Sequence, residues 1–336
     1  MNTGELITNL NRTIIVLSIV MAWYTVLVLL AGIAIVVYGA DEAIKRLLGL
    51  SKFFRLSAFV TGVVIAGTLA VLPELSIGIL SAIEGSSTFG LGLIFGANVA
   101  DLTLVIGIVV LIAGNQKITR DMLKSLKVSF IAVLLPVFLL VDGEISRIDG
   151  VFLLIAFAVY VIWLLRSGFG EKECAERMRL SKRVVRLGIT VFLLAIGITV
   201  LFIGSELVTQ SAQELSSVLG LPLFLIGLVI AVGTCLPEMV FAVRASEKEG
   251  SIGIGNILGN VLADSMLTIG VIAVIYPIKI PSIASPLTAG VFVALSAIFV
   301  YFRSRDGDIN KKDGLFLIGV YVLFVLIQFL FEVLKI

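Results

Sequence analysis

With 336 residues, 59% of them hydrophobic, and a mean hydropathy of +1.17, this chain carries more apolar surface than a soluble domain of its size can hide. A formal net charge of +2 excludes the basic footprint of a nucleic-acid binder. Its two cysteines, Cys174 and Cys235, exclude a disulfide framework or a zinc cluster, and the absence of histidine leaves any proton coupling near neutral pH to Asp and Glu.

The N-terminal residues Asn2, Glu5 and Asn9 do not resemble a cleavable signal peptide, and Asn11-Arg-Thr13 is a sequon that chance explains. Beyond them, nearly charge-free windows of about twenty residues recur, the length needed to cross about 30 Å of hydrocarbon. Ten spans are expected, near 14–38, 56–82, 88–114, 126–142, 148–166, 187–210, 220–245, 251–276, 284–302 and 314–334. The expected fold is an all-α polytopic membrane protein with ten transmembrane helices. Loop charges give an independent check. With the N-terminus outside, 21 of the 25 Lys and Arg residues fall in inside loops, leaving Arg12, Arg147, Lys279 and Lys335 outside. The positive-inside rule then puts both termini outside, and the cell membrane is the expected location. Residues 167–186, the only long charged stretch, read as a cytoplasmic linker with a solvated, mixed-charge helix.

Three landmarks recur at a drifting offset. Gly39-Ala-Asp41 matches Gly204-Ser-Glu206 at 165 residues, and Leu72-Pro-Glu74 matches Leu236-Pro-Glu238 at 164. Gly96-Ala-Asn-Val-Ala-Asp101 matches Gly259-Asn-Val-Leu-Ala-Asp264 at 163. Three ordered matches indicate a duplication: a first repeat over 1–166, the linker 167–186, and a second repeat over 187–336. Each repeat holds five spans, an odd number, so the two have inverted topology. Such repeats place a transport site at their interface near the midplane. Asp41 and Glu206 read as span-end residues facing that interface, with structural or gating roles.

The chemistry centres on four carboxylates inside apolar spans: Glu74, Asp101, Glu238 and Asp264. An intramembrane carboxylate marks a functional site by default. Pro73 and Pro237 have no N–H to offer the carbonyls of Leu69 and Gly233, and the kinks loosen Ala70 and Thr234. Free carbonyl oxygen inside a membrane is tolerated where it lines a cavity or finds a partner. A hard cation is such a partner, and calcium takes about six to eight oxygens from mixed carboxylate and carbonyl shells. Asn98 and Asn260 precede the aspartates by three and four residues, close enough to orient aspartate by hydrogen bond. Four unpaired negative charges in a membrane repel, so divalent ions, monovalent ions or protons must compensate them. Competition between two kinds of cation for one charged cage is an exchange mechanism.

At these residues the chain resembles the sodium/calcium exchanger family. Gly233-Thr-Cys-Leu-Pro-Glu238 is similar to that family's Gly-Thr-Ser-Leu-Pro-Glu, and the two Asp-bearing stretches are similar to its Gly-Ser-Asn-x-x-Asn/Asp. The resemblance implies Glu74 and Glu238 as central calcium ligands, with the carbonyls of Ala70 and Thr234, completed by Asp101 and Asp264. It implies a flanking sodium site at Thr234, Cys235 and the Ala231 carbonyl, and spans one and six sliding across the core. The chain departs from the pattern in ways that matter. Ala70 and Val71 stand where the family has Thr and Ser, and Thr68 comes two residues too early. Cys235 replaces a Ser, and a thiol is a poor ligand for hard cations. Sodium coupling is therefore expected to be weakened, with protons as the rival counter-ion.

The function expected is a divalent/monovalent cation antiporter, most simply Ca2+ against Na+ or H+, with no enzyme activity and no cofactor. Its partners are the transported cations and the lipid bilayer, with no protein partner implied. A magnesium exchanger of the same fold and a passive cation channel are the alternatives. An intramembrane aspartyl protease built on Asp101 and Asp264 would leave both glutamates and the repeat unexplained.

Overall fold

The computed structural model describes residues 22–39, 42, 70–117, 120–166, 180–248, 250–280, 282–305 and 307–334. In chain order these form α1 (Ala22–Gly39), α2 (Leu72–Ile83), α3 (Ser87–Ala113), strand β1 (Gln116–Lys117) and α4 (Arg120–Leu139). Strand β2 (Glu144–Ile145), α5 (Arg147–Arg166), α6 (Leu180–Leu219), α7 (Leu223–Thr234) and α8 (Leu236–Lys248) follow. The chain continues as α9, which begins at Gly250–Ala263 and ends at Ile269–Ile275. Strand β3 (Ile278–Lys279), α10 (Ala284–Arg305), β4 (Asp308–Ile309) and α11 (Lys311–Leu334) complete it. Among the described residues there are thus ten helical segments, one for each expected span, with α7 and α8 as halves of the seventh. Seven of the ten are long and apolar enough on their described residues to cross a membrane.

The helix edges differ from expectation most at the sixth span. α6 runs past residue 210 to Leu219, because Ser211 to Leu219 contains no breaker. Gly220, at φ +65°, then stops it in the left-handed conformation that glycine adopts without penalty, and Pro222 follows. At its other end α6 begins at Leu180, so it takes in the last residues assigned to the linker. The seventh span is expected as one helix but turns at Cys235, between α7 and α8. Val71 is the matching turn before α2.

Two-fold pseudosymmetry is visible in pairs of contacts separated by the repeat offset. Strand β1 pairs antiparallel with β4, and β2 with β3. The first ribbon joins the loop after span three to the loop after span nine; the second joins those after spans four and eight. These are the pairs that an alternating ten-span topology puts on one face and on the other. A Cβ on Gly107 would stand 2.8 Å from the Gly314 carbonyl oxygen, and one on Gly150 would stand 2.8 Å from that of Gly270. Thus α3 crosses α11 as α9 crosses α5. Gly39 lies against the Leu201 backbone and Gly204 against that of Val36, so the first sequence landmark is the crossing of α1 with α6. Small residues let membrane helices approach this closely. A fourth landmark is a pair of helix caps. Asp149 accepts from Ser146 N and Oγ at 2.9 and 2.6 Å, and Asp313 accepts from Asn310 N at 2.9 Å. Asp313 also takes two bonds from Arg303, at 2.9 and 3.1 Å.

The core is α3 and α9, nearly every residue of which is buried. Around them, α1, α6 and α11 bury one face and expose large apolar side chains such as Trp23, Phe192 and Phe329 on the other. That arrangement, apolar inside and apolar outside, is an all-α polytopic membrane fold of two inverted five-helix repeats.

Candidate cation site

Glu74, Asp101, Glu238 and Asp264 are all buried, the aspartates completely. They reach the centre by two devices, each used twice. Glu74 and Glu238 stand in the first turn of α2 and α8, just after the breaks at Val71 and Cys235. A helix N-terminus favours negative charge, because its first N–H groups have no helical acceptor. After each break the backbone ladder restarts with Leu75 N–H on the Val71 carbonyl at 2.8 Å and Met239 N–H on that of Cys235 at 3.0 Å. Asp101 and Asp264 each open a five-residue π-helical segment, Asp101–Val105 and Asp264–Thr268. Such wide turns inside α-helices mark functional sites frequently. Glu74 lies within electrostatic reach of Asp101, Glu238 and Asp264, so the four carboxyls share one neighbourhood.

Crossing repeats decide the hydrogen bonds. Asn260 Nδ2 donates to Asp101 Oδ2 at 2.7 Å, so it orients the aspartate of the other repeat rather than its own. Asn98 Nδ2 donates to Ser265 Oγ at 3.2 Å, again across the repeats. Thr234 Oγ1 donates to the Ala231 carbonyl at 3.1 Å, and Cys235 N–H reaches the same oxygen at 3.0 Å. The Ala231 carbonyl, expected to face a cation, thus accepts two protein donors here. Ala70 is buried beside the first break, and Cys235 is buried with its thiol free. Thr68, Asp41 and the Leu69 carbonyl lie outside the described residues. Glu206 is not a span-end residue: α6 continues well past it, and its exposed carboxylate accepts from Gln210 at 2.9 Å.

What is unsatisfied defines the chemistry. Both oxygens of Glu74 and of Asp264, one of Asp101 and one of Glu238 are buried without a hydrogen-bond partner. So are the amide oxygens of Asn98 and Asn260 and the hydroxyl of Thr268. Every carboxylate and amide oxygen in that group is an acceptor, and buried acceptors without donors are costly. Cations or protons would satisfy them. Among the described residues, no three His, Cys, Asp or Glu side chains group closely enough to hold an ion by themselves. Amide, hydroxyl and carbonyl oxygens are needed to fill a shell of about six to eight.

Sequence reasoning did not find several members of this neighbourhood. Ser76 Oγ lies 2.6 Å from Ser205 Oγ, joining α2 to α6 two residues beyond Glu74. Ser265 and Thr268 lie in the second π-helical segment. Ser205 sits within the Gly204-Ser-Glu206 landmark, which was the available signal. The π-helical segments had no signal in residue type. Farther out, Glu84 ends α2 and accepts from Gln213 Nε2 at 2.7 Å. Partial burial pushes its carboxyl above the usual carboxylate range; Gln213 opposes the shift and the Glu206 charge adds to it.

Inverted repeats, paired helix breaks and a buried four-carboxylate group define a membrane transporter of cations. The chain belongs to the sodium/calcium exchanger protein family, which matches residues 24–166 and 189–330. It is 26% identical to the sodium/calcium exchanger MaX1 of Methanosarcina acetivorans, over 90% of this chain and 98% of that one. It is 24% identical to the inner membrane protein YrbG of Escherichia coli, over 88% and 94%. Its fold matches the solved structure of the sodium-calcium exchanger NCX_Mj soaked with 2.5 mM Na+ and 10 mM Sr2+, with a TM-score of 0.64. That match covers 90% of this chain and 98% of the other at 22% identity. The family is one of membrane antiporters, so Asp101 and Asp264 are not a protease pair.

Proposed function

We propose that this protein exchanges calcium for sodium or protons by alternating access at Glu74, Asp101, Glu238 and Asp264. The observation that carries the reading is the set of buried, unpartnered carboxylate oxygens contributed equally by both repeats. Ala70 and Thr234 supply backbone oxygen at the two helix breaks, while Ala231, Cys235, Asn98, Asn260 and Thr68 support the shell. The working units are a first repeat over 1–166, a cytoplasmic linker over 167–186 and a second repeat over 187–336. Both termini lie outside, in the cell membrane.

The counter-ion follows from an asymmetry between the repeats. Thr234 brings a hydroxyl to the break in the second repeat, whereas Ala70 and Val71 bring none to the first. Fewer neutral oxygens weaken a sodium site, and a fourth carboxylate at Asp101 offers another proton acceptor. Radioactive calcium uptake into proteoliposomes tests this, with vesicles loaded with sodium at matched pH or with acid at zero sodium. Uptake under the acid load, with a reduced response to sodium, is expected. Uptake driven only by sodium contradicts proton coupling, and calcium flux with no counter-ion at all points to a channel.

A further inference from the structure

Asn256 is a buried polar group that the carboxylate site does not use. It lies in α9, 2% exposed, and its Oδ1 has no hydrogen-bond partner. Asn256, Asn260 and Asp264 are four residues apart, so they share one face of α9 with about 6 Å of rise between neighbours. Asn260 fixes where that face looks, since its Nδ2 is bonded to Asp101 Oδ2 at 2.7 Å and its own Oδ1 is unpartnered. A ladder of oxygens therefore leads from the carboxylates toward the start of α9, where that helix packs against β1. Strand β1 contributes Gln116, 1% exposed, whose Nε2 donates to the Gly114 carbonyl at 2.7 Å and whose Oε1 is unpartnered.

The first repeat has no such ladder. At the repeat offset the matching residues are Leu93, Ala97 and Asp101. By strand register the counterpart of Gln116 is Ile278, which is buried: Gln116 pairs with Ile309 as Ile278 pairs with Ile145. Neutral amide oxygens thus stand at buried positions of the second repeat where the first repeat has apolar side chains.

We propose that Asn256 forms a second cation station on the β1–β4 side of the carboxylates, where the transported divalent ion pauses on its way to or from that face. This rests on the exchange reading above. Conduction needs sites strong enough to replace part of the hydration shell and weak enough to release the ion. A neutral amide oxygen about 12 Å along the helix from Asp264 has that character, and its position makes the two faces kinetically unequal.

The test is calcium flux in membrane vesicles of known sidedness, with calcium varied on one face at a time. Asn256→Leu, which copies Leu93, should raise the half-saturation concentration on the β1–β4 face about tenfold and spare the opposite face. Asn256→Asp keeps the side-chain size and adds charge, so it should lower that concentration on the same face even if the leucine variant fails to fold. Equal shifts on both faces, or no shift in a folded variant, overturn the proposal. Wild-type protein that carries no calcium overturns the exchange reading and this one with it, whereas calcium flux with unresponsive variants overturns this one alone.

Discussion

Asn260 in the second repeat donates its amide to the carboxylate of Asp101 in the first, at 2.7 Å. Each half of the molecule thereby depends on the other for the shape of the site. Asn260→Ala leaves Asp101 Oδ2 without its donor inside the protein, at a cost of about 1–3 kcal/mol. Calcium affinity measured by calorimetry should fall about 10- to 100-fold, as when a supporting partner of a metal ligand is lost. Asn98→Ala removes only a 3.2 Å bond to Ser265 and should have the smaller effect. An unchanged affinity in Asn260→Ala contradicts the cross-repeat role.

Close helix crossings hold this arrangement. A Cβ on Gly227 would lie 2.5 Å from the Phe89 carbonyl oxygen and 2.6 Å from Leu93 N. Both are backbone atoms of a buried helix, so they have little room to move. Gly227→Ala should destabilise the protein by about 1–3 kcal/mol, read as a lower Tm in detergent. Gly319→Ala serves as the control. Nothing lies within 4 Å of its added Cβ, and replacing a mid-helix glycine should stabilise by about 0.5–1 kcal/mol.

Ser76 and Ser205 join α2 to α6 in the buried core. Ser76 Oγ also contacts the Pro73 carbonyl at 2.9 Å, and Ser205 Oγ the Leu201 carbonyl at 2.9 Å. Two hydroxyl hydrogens cannot serve all three contacts together, so the link between the helices can be given up without stranding either hydroxyl. The pair Ser76→Cys and Ser205→Cys should accept a disulfide. If α6 slides across the core during transport, oxidation should stop exchange and reduction restore it. Full exchange with the bridge verified by mass spectrometry contradicts sliding at this contact.

Val71 tests the counter-ion. It is buried at the first helix break, in the place matching Cys235 in the second repeat. Val71→Ser supplies a hydroxyl there and should raise the sodium dependence of calcium uptake. The same uptake curve in wild type and variant contradicts the account of weakened sodium coupling.

Much of this fold was legible because the bilayer makes periodic demands. Ten apolar windows gave ten helical segments, and the duplicated Leu-Pro-Glu and Gly…Asp stretches gave the repeat and its four carboxylates. The turn at Cys235 followed from Pro237 in kind, though it was expected as a kink rather than a complete break. What escaped was set by the packing of one repeat on the other. The π-helical segments at Asp101 and Asp264 leave no trace in residue type, since their neighbours would suit an ordinary helix. Whether Asn260 meets Asp264 or Asp101 depends on how α3 crosses α9, and a single strand of sequence does not carry that angle. The length of α6 was missed for a simpler reason. The polar-rich stretch 210–217, broken only by Ala212 and Leu215, ends the apolar run before the helix ends.

The most direct test of the central claim is radioactive calcium uptake by wild type, Glu74→Gln and Glu238→Gln in matched proteoliposomes, with folding checked by circular dichroism. Each substitution keeps the side chain's size and removes one charge of the buried four-carboxylate group. The account predicts counter-ion-dependent uptake in wild type and its loss in both folded variants. Full uptake in both variants would contradict it.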